Sequence, residues 1–367
     1  MKGKESGQAL IMVLVILALG TLLVFPTLVQ AYTSQRYHQL VERNTSNAYT
    51  ADSGIEYGYW QVYNNVEDVQ KNGWQQSFAI NDATVNVTAE YVWDIAAYKI
   101  TSTATSASNR SMTIVSYVVI DIGLFGNAFA CDGNLNINQS DLTGDAACDV
   151  YANGNISLNQ ANVDGDVTAA RTVSLNQSTV TGEITEDAPV LDFPPIDPQP
   201  HIDAALEGGP PVSSITWNNQ PDKTLGPKYI NGNLNVTKTN VTLTGTVYVT
   251  GYVNINESNF SGFGDIVAQG YIKLTKTPFT VTDPDTLPLV MSINSYIDIS
   301  QSAAEYDVYA VLYAPTSSIS LTHVHVYGAV AADTITVNQA QVFYPASVEG
   351  RPDLPGAGME TITYGYK

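Results

Sequence analysis

Acidic residues outnumber basic residues by 35 to 15 in this chain of 367 residues, which gives a formal net charge of −20 at pH 7. Such a surface repels phosphate backbones, so nucleic-acid binding through a broad basic surface is disfavoured. Hydrophobic residues, at 44%, suffice for a substantial core. Charged residues make up only 14% while Asn, Thr, Ser, Gly and Val are plentiful, which indicates a β-rich extracellular protein rather than a cytosolic helical enzyme.

The first predicted element is an apolar N-terminal helix. Lys2 and Lys4 precede an uncharged run over residues 9–29, whose helical length matches the roughly 30 Å core of a membrane. The flanking lysines predict a cytoplasmic N-terminus and an exported remainder. A secretory signal peptide cleaved after Ala31 and a simple membrane anchor are the alternatives.

The predicted helix continues as an amphipathic segment. In residues 31–65 apolar residues recur at helical spacing, with charged residues between them. The first half of a helix over residues 8–65 would pack against copies of itself in lipid or in a filament, and the second half would hold a sheet. Pro26 is expected to kink this helix.

Two motifs in this helix resemble those of a known family. The sequence SGQALIMVLV at residues 6–15 resembles a class III prepilin leader, which a prepilin peptidase cleaves just after the glycine. The sequence ADSGIEY at residues 51–57 resembles the AEAGIE signature of PilX-type minor pilins of type IV pili. The resemblance covers about the first 65 residues. It implies a leader over residues 1–7, with cleavage between Gly7 and Gln8.

The resemblance also implies a role and a set of partners. Met12 stands where major pilins carry a glutamate that pairs with the amine of a neighbouring subunit, which implies a low-copy or tip-located subunit. The implied partners are other pilins through the N-terminal helix, the membrane and prepilin peptidase. The precursor would lie in the cytoplasmic membrane, and the mature protein in an extracellular filament or on the cell surface. The signature residues are Ala51, Gly54, Ile55 and Glu56.

Residues 66–126 predict a small pilin-like head. Apolar and polar residues alternate over residues 84–93 and 98–104, which is the period of half-buried strands. Three or four antiparallel strands laid on the helix would give an α+β head, followed by an all-β domain.

From residue 127 a pentapeptide repeat predicts a parallel β-helix, or solenoid. Clear copies begin at Asn136, Ser157, Ser174, Asn254, Asp298 and Thr336. Most of the spacings, near 20 residues, suit one coil, and stacked coils would bury the apolar residue of each copy. Stacking would also align asparagines in a hydrogen-bonded ladder of Asn138, Asn159, Asn176, Asn256 and Asn338. An antiparallel sandwich is the competing fold.

Three further features qualify the solenoid. The proline-rich residues 187–228 predict an extended excursion rather than strands, which either packs along the solenoid or binds a partner. Residues 342–367 resemble the closing segment of solenoids appended to PilX-type proteins and would cap the last coil. Cys131 and Cys148 lie one repeat apart in an exported chain and predict a disulfide, with two buried thiols as the alternative.

No residue set predicts catalysis, a cofactor or a bound metal. His323 and His325 would face the same side of a strand, but the sequence provides no further ligand for a metal. Asn162, Asp164 and Asp166 alternate like Ca²⁺ ligands without the rest of a calcium loop. A polysaccharide-cleaving site would need several distant residues on one solenoid face, namely Asp265, Asp283, Asp285, Lys273 and Lys276. The chain is therefore predicted not to be an enzyme.

Aromatic residues supply the binding hypothesis. Candidate contacts to a surface glycan or another cell-surface ligand are Trp217, Tyr248, Tyr252, Tyr271 and Tyr309. The sequence thus predicts a minor type IV pilin-like subunit that takes part in pilus assembly and displays the solenoid for surface or partner contact, including adhesion. The alternatives are a membrane-anchored carbohydrate-binding or polysaccharide-active β-helix protein, and a DNA-capturing competence minor pilin.

Overall fold

The structure is a computed structural model. It describes residues 5–80, 83–95, 97–107, 110–121, 123–193, 196–281, 283, 286–300, 307–348, 351, 354–355 and 358–366. The chain forms two compact units, one of Met1–Val119 with Glu360–Lys367 and one of Ile120–Met359.

The first unit begins with one long helix. Helix α1 runs from Glu5 to Asn64, about 90 Å at the standard rise, and a short helix α2 follows at Val66–Asn72. The continuous helix predicted from the sequence is therefore present, and Pro26 lies inside it. The run predicted to cross a membrane includes side chains that the structure does not describe. Among the described residues, no helix combines the length and apolarity that crossing a membrane requires.

A five-stranded sheet accompanies the helix. Its first four strands pair antiparallel in chain order. The C-terminal strand Gly358–Tyr366 is hydrogen-bonded beside the fourth strand, at the edge of the sheet. The four are β1 Trp74–Ile80, β2 Ala83–Val92, β3 Ala97–Ser106 and β4 Ser111–Asp121. The predicted small antiparallel sheet is thus confirmed. Of the predicted cap over residues 342–367, the last strand joins this sheet and does not cover the solenoid, whereas Val348 and Leu354 pack in the solenoid core.

The second unit is the predicted parallel solenoid. We number its coils in chain order. Coil 1 contains β5 Phe129–Cys131, β6 Leu135–Asn138 and β7 Asp141–Gly144; coil 2 contains β8 Val150–Ala152, β9 Ile156–Asn159 and β10 Asn162–Val163; coil 3 contains β11 Val167–Ala169, β12 Val173–Asn176 and β13 Thr179–Val180. The short strand β14, Ile184–Thr185, pairs with β11.

The remaining coils follow a crossing segment of residues 187–211 that contains helix α3, Gln199–Leu206. Coil 4 contains β15 Val212–Asn218 and β16 Lys223–Leu225, and coil 5 contains β17 Lys228–Thr237 and β18 Val241–Thr244. Coil 6 contains β19 Val247–Val249, β20 Val253–Asn256 and β21 Phe260–Phe263; coil 7 contains β22 Ile266–Ala268, β23 Ile272–Thr275 and β24 Phe279–Thr280. Coil 8 contains β25 Leu289–Ser292, β26 Ile297–Ser300 and β27 Asp307–Tyr309; coil 9 contains β28 Val311–Thr322 and β29 His325–Tyr327; coil 10 contains β30 Val330–Asn338 and β31 Gln341–Tyr344.

The coils do not stack in chain order. Coil 10 pairs with coil 9 on one side and with coil 1 on the other, as in Val337 between Leu321 and Ile137. The stack therefore runs from coil 4 to coil 10 and continues through coils 1, 2 and 3. The chain enters the stack in the middle, winds to one end, crosses to the other end through residues 187–211, and winds back to its point of entry.

The crossing segment packs along the solenoid. The main-chain N–H and C=O of Leu191 both bond to the side chain of Asn153 at 2.8 Å, and the Tyr151 hydroxyl donates to the Pro189 carbonyl. Helix α3 contacts β17 and β19, with Ala205 fully buried. This favours the flank-packing interpretation of the proline-rich region. The expectation that residues 187–228 contain no strand is wrong for β15 and β16, which form coil 4.

Two rows of strands show different burial patterns. In the first row, short strands such as β8 and β19 are buried at every position, as in parallel sheets that are covered on both faces. In the second row, strands such as β9 and β20 alternate between buried and half-buried residues. One outer face of the solenoid is therefore covered by other parts of the chain, and the face formed by the second row is open.

Candidate functional site

The pilin-like signature lies where helix and sheet are closest. Ala51, Gly54 and Ile55 are buried against the sheet, whereas Glu56 is exposed on the opposite side of α1. A Cβ at Gly54 would clash with Ser102 Oγ and lie 2.8 Å from a methyl carbon of Val85. The buried signature residues therefore pack the helix on the sheet, which is a structural role.

The first part of α1 has the opposite character. Every described side chain from Met12 to Ser46 is exposed, and large apolar residues dominate its first half. Met12 itself is 70% exposed. Gly7 and Gln8 lie within α1, but their side chains are outside the described residues, so the cleavage between them stays a prediction.

The repeat marks a left-handed corner in nine of the ten coils; in coil 8 the equivalent residue, Gln301, lies outside the described residues. The residue after the ladder position has φ between 48° and 54° in these nine: Gln139, Gln160, Gln177, Asn219, Lys238, Glu257, Lys276, His323 and Gln339. In five of these corners the next residue is Ser or Thr and its hydroxyl donates to the carbonyl of the ladder position, as where Ser140 Oγ donates to the Asn138 carbonyl and also accepts the Ala340 N–H. The sequence did not reveal the copy at Asn219, since Trp217 occupies the usual place of a small aliphatic residue.

We expect the stability of the solenoid to depend on the shape of the side chain at the left-handed corner. Gln160→Val should lower the free energy of unfolding by about 1–2 kcal/mol relative to Gln160→Asn, because a β-branched residue is strained at positive φ and asparagine tolerates it. Both variants lose the Gln160 side-chain bonds to Gln139 and Gln177, so their difference isolates the backbone effect. Urea unfolding followed by circular dichroism measures it. Equal stabilities of the two variants would contradict a left-handed corner.

The asparagine ladder is confirmed for four of its five members. Asn176 donates to Asn159 and Asn159 to Asn138, both at 2.7 Å, and Asn138 donates to Asn338 at 3.4 Å. Asn256 occupies the same column, but its register neighbours are Thr237 and Thr275, so no amide lies beside it there.

The predicted disulfide is wrong, because both cysteines are free and fully buried. Coil 1 is longer than the 17-residue spacing of the cysteines, so the register partner of Cys131 is Ala152, not Cys148. Four residues of extended chain span about 13 Å, well beyond the roughly 7 Å Cα separation that a disulfide allows. Cys131 Sγ donates to the Asp333 carbonyl and Cys148 Sγ to the Thr143 carbonyl, each at 3.0 Å. Burial raises the pKa of each thiol to about 12.

The candidate aromatic residues do not form one strip. Tyr252, Tyr271 and Tyr296 stack at 4.8 and 5.3 Å on the open face, and Tyr309 of β27 stacks on Tyr327 of β29 elsewhere on the solenoid. Their ring faces cover one another, which leaves mainly edges and hydroxyls for solvent.

Two of the aromatic candidates lie away from the open face. Tyr248 is fully buried, with the ring of Tyr229 stacked on it and its hydroxyl accepting from Gln269, so its prediction as a ligand contact is wrong. The crossing helix α3 lies against this strand, which the repeat alone did not indicate. Trp217 is half-buried against the core near the end of β15.

The polar candidates are separated or already bonded. His323 occupies a corner and His325 lies in β29, so the expectation that both face one side of a strand is wrong. Asn162 donates to Asp141 at 2.7 Å, and Asp164 accepts from Thr181 at 2.8 Å, so both side chains bond to neighbouring coils. No group of three potential metal ligands occurs among the described residues.

The residues of the polysaccharide-cleaving alternative are also dispersed. Asp265 precedes the first row of strands and lies 3.4 Å from His201 of the crossing segment, whereas Lys273 lies in the second row and pairs with Asp298 at 2.9 Å. Lys276 occupies a corner. Asp285 is outside the described residues, and Asp283 lies in the loop after β24.

Together these features define a protein in which a long helix packs on an antiparallel sheet and a parallel β-solenoid is inserted before the last strand of that sheet. No family model and no curated protein matches the chain. Among solved structures, it is similar to the competence-associated pilin ComZ from Thermus thermophilus, with a TM-score of 0.24 and 10% identity over 88% of this chain and 97% of that chain.

Proposed function

We propose that this chain is a minor, PilX-type subunit of a type IV pilin-like filament, which displays its solenoid outside the cell. The observation that carries the proposal is the division of α1 into two parts. Residues near Ala51 and Ile55 hold the sheet, whereas the described side chains from Met12 to Ser46 are all exposed. A filament subunit needs one part to build its head and another to join its neighbours.

The exposed part of α1 favours other pilin helices as its partners. Burying a large aliphatic side chain contributes roughly 1.5–3 kcal/mol, and residues 12–29 carry many of them without one charged side chain. Helices of related subunits would cover this surface from several sides, as a helix that is apolar all round requires. The leader-like residues 6–15 and the signature at residues 51–57 support the same assignment.

Met12 supports a low-copy position within the filament. Its uncharged side chain is unable to pair with the terminal amine of a neighbour, which is the role of the corresponding glutamate in major pilins. A subunit without that pair suits the tip, where fewer neighbours are present. We propose on the same basis that the subunit takes part in pilus assembly.

The test is the N-terminus of the protein from purified surface filaments, with and without prepilin peptidase. We expect a mature chain that begins at Gln8 and is present at low copy. A Gly7→Val variant should keep residues 1–7, whereas Gly3→Val, which alters another glycine of the same leader, should still be processed. Intact mass distinguishes the two products. A mature chain that begins at Met1 or at Tyr32, or one absent from filaments, would contradict the proposal.

A further inference from the structure

The open face of the solenoid is long and regular, and its outward side chains are half-buried or exposed. We define it as the outward side chains of the second row of strands, from Leu234–Thr237 of β17 to β12, together with Tyr252, Tyr271 and Tyr296, each of which directly precedes a strand of this row. The strands pair in register through coils 5 to 10 and 1 to 3. At about 4.8 Å per coil and 3.3 Å per residue, the face measures roughly 38 by 13 Å.

The open face is neutral in a strongly acidic protein. Among its described residues the only charged side chains are Lys273 and Asp298, and these pair with each other at 2.9 Å. The other positions carry hydroxyls and amides, as at Asn136, Ser157 and Thr336, together with the tyrosine stack. The net charge of −20 must therefore lie elsewhere on the molecule.

The side chains of the face keep hydrogen-bonding capacity for a ligand. A side-chain amide has two donors and two acceptor lone pairs, and the ladder uses one donor and one acceptor of Asn159. The stacked rings of Tyr252, Tyr271 and Tyr296 point edges and hydroxyls outward, because their faces cover one another. The face thus offers both donors and acceptors at regular intervals along the solenoid axis.

We propose that the open face binds a neutral polysaccharide chain. A neutral polymer with dense hydroxyls matches mixed donors and acceptors and brings no charge that has to be desolvated. An anionic polymer would meet the repulsion of the whole molecule and find no free cation on the described part of this face. This inference does not rest on the proposed function, since it concerns a surface that would bind in solution as well as in a filament.

The test uses the full chain and two matched variants. Asn136→Glu places a charge on the open face, in coil 1, and Thr242→Glu places one on an exposed, outward residue of β18. Both residues are the second of a four-residue strand with neutral register neighbours. Retention is measured on insoluble cellulose, chitin and β-1,3-glucan, with polygalacturonate and duplex DNA as anionic probes.

We expect the wild-type chain to bind at least one neutral polysaccharide and neither anionic probe. Asn136→Glu should weaken that binding at least tenfold, and Thr242→Glu should leave it unchanged, with both variants melting at the wild-type temperature. The proposal is overturned if no neutral polysaccharide is retained, if both variants bind as the wild type does, or if the anionic probes bind best. N-terminal processing is measured separately, so failure here leaves the filament proposal standing.

Discussion

Gly54→Leu is expected to lower the free energy of unfolding of the helix and sheet by more than about 3 kcal/mol. The Cβ of any larger residue at this position meets Ser102 Oγ, Val85 and Val87, all below it in β2 and β3. The backbone of hydrogen-bonded strands does not shift readily to make room for a larger side chain. Overpacking by several carbon atoms therefore costs roughly 1–3 kcal/mol or more. The same helix supplies the control, since a Cβ at Gly20 has nothing within 4 Å.

Tryptophan fluorescence makes this measurement specific. Trp60, Trp74 and Trp93 lie in the first unit and Trp217 in the second, so urea unfolding in a Trp217→Phe background reports the first unit alone. Ser102→Ala should recover part of the loss in a milder Gly54→Ala variant, because it removes the hydroxyl that the new methyl group meets. By itself Ser102→Ala should cost little, since its buried hydroxyl has no hydrogen-bond partner among the described residues. A loss at Gly54 no larger than at Gly20 would contradict close helix–sheet packing.

The sequence predicted the secondary-structure elements better than it predicted which coils lie next to one another. Apolar residues at the repeat position, such as Ile137 and Leu158, indicated stacked coils because a single coil has no means to bury them. The repeat does not say which coil stacks on which, since its copies are nearly interchangeable. That order depends on where residues 187–211 cross the stack, which is a property of the whole domain and not of any local pattern.

The errors in the candidate site have the same origin. Tyr248 resembles Tyr252 in sequence, yet one is buried beside the crossing helix and the other lies on the open face. Cys131 and Cys148 were paired by their spacing, whereas register depends on the actual length of coil 1. The asparagine ladder forms where neighbouring coils both carry asparagine, and Asn256 lies outside it because its register neighbours are threonines.

Raising the pH from 8 to 10.5 is expected to remove about 4 kcal/mol of the stability that the two cysteines contribute. Burial raises the folded-state pKa of each thiol from 9.0 to about 12. A raised pKa stabilises the folded state below the unfolded pKa, and this contribution is lost as the pH rises from about 9 towards 12. A pH of 10.5 lies about 1.5 units above the unfolded pKa. At roughly 1.4 kcal/mol per unit, ionisation of each thiol therefore stabilises the unfolded state by about 2 kcal/mol.

A double variant, Cys131→Ala with Cys148→Ala, separates this effect from tyrosine ionisation, which both proteins share. The difference in unfolding free energy between wild type and variant should fall by about 4 kcal/mol between the two pH values. At pH 8 the native thiols should also resist iodoacetamide and become reactive only in urea, because the thiolate is the nucleophile and both sulfurs are buried. A difference that stays constant with pH, or thiols that react fully without denaturant, would show that the sulfurs are accessible and that coils 1 and 2 are packed differently around them.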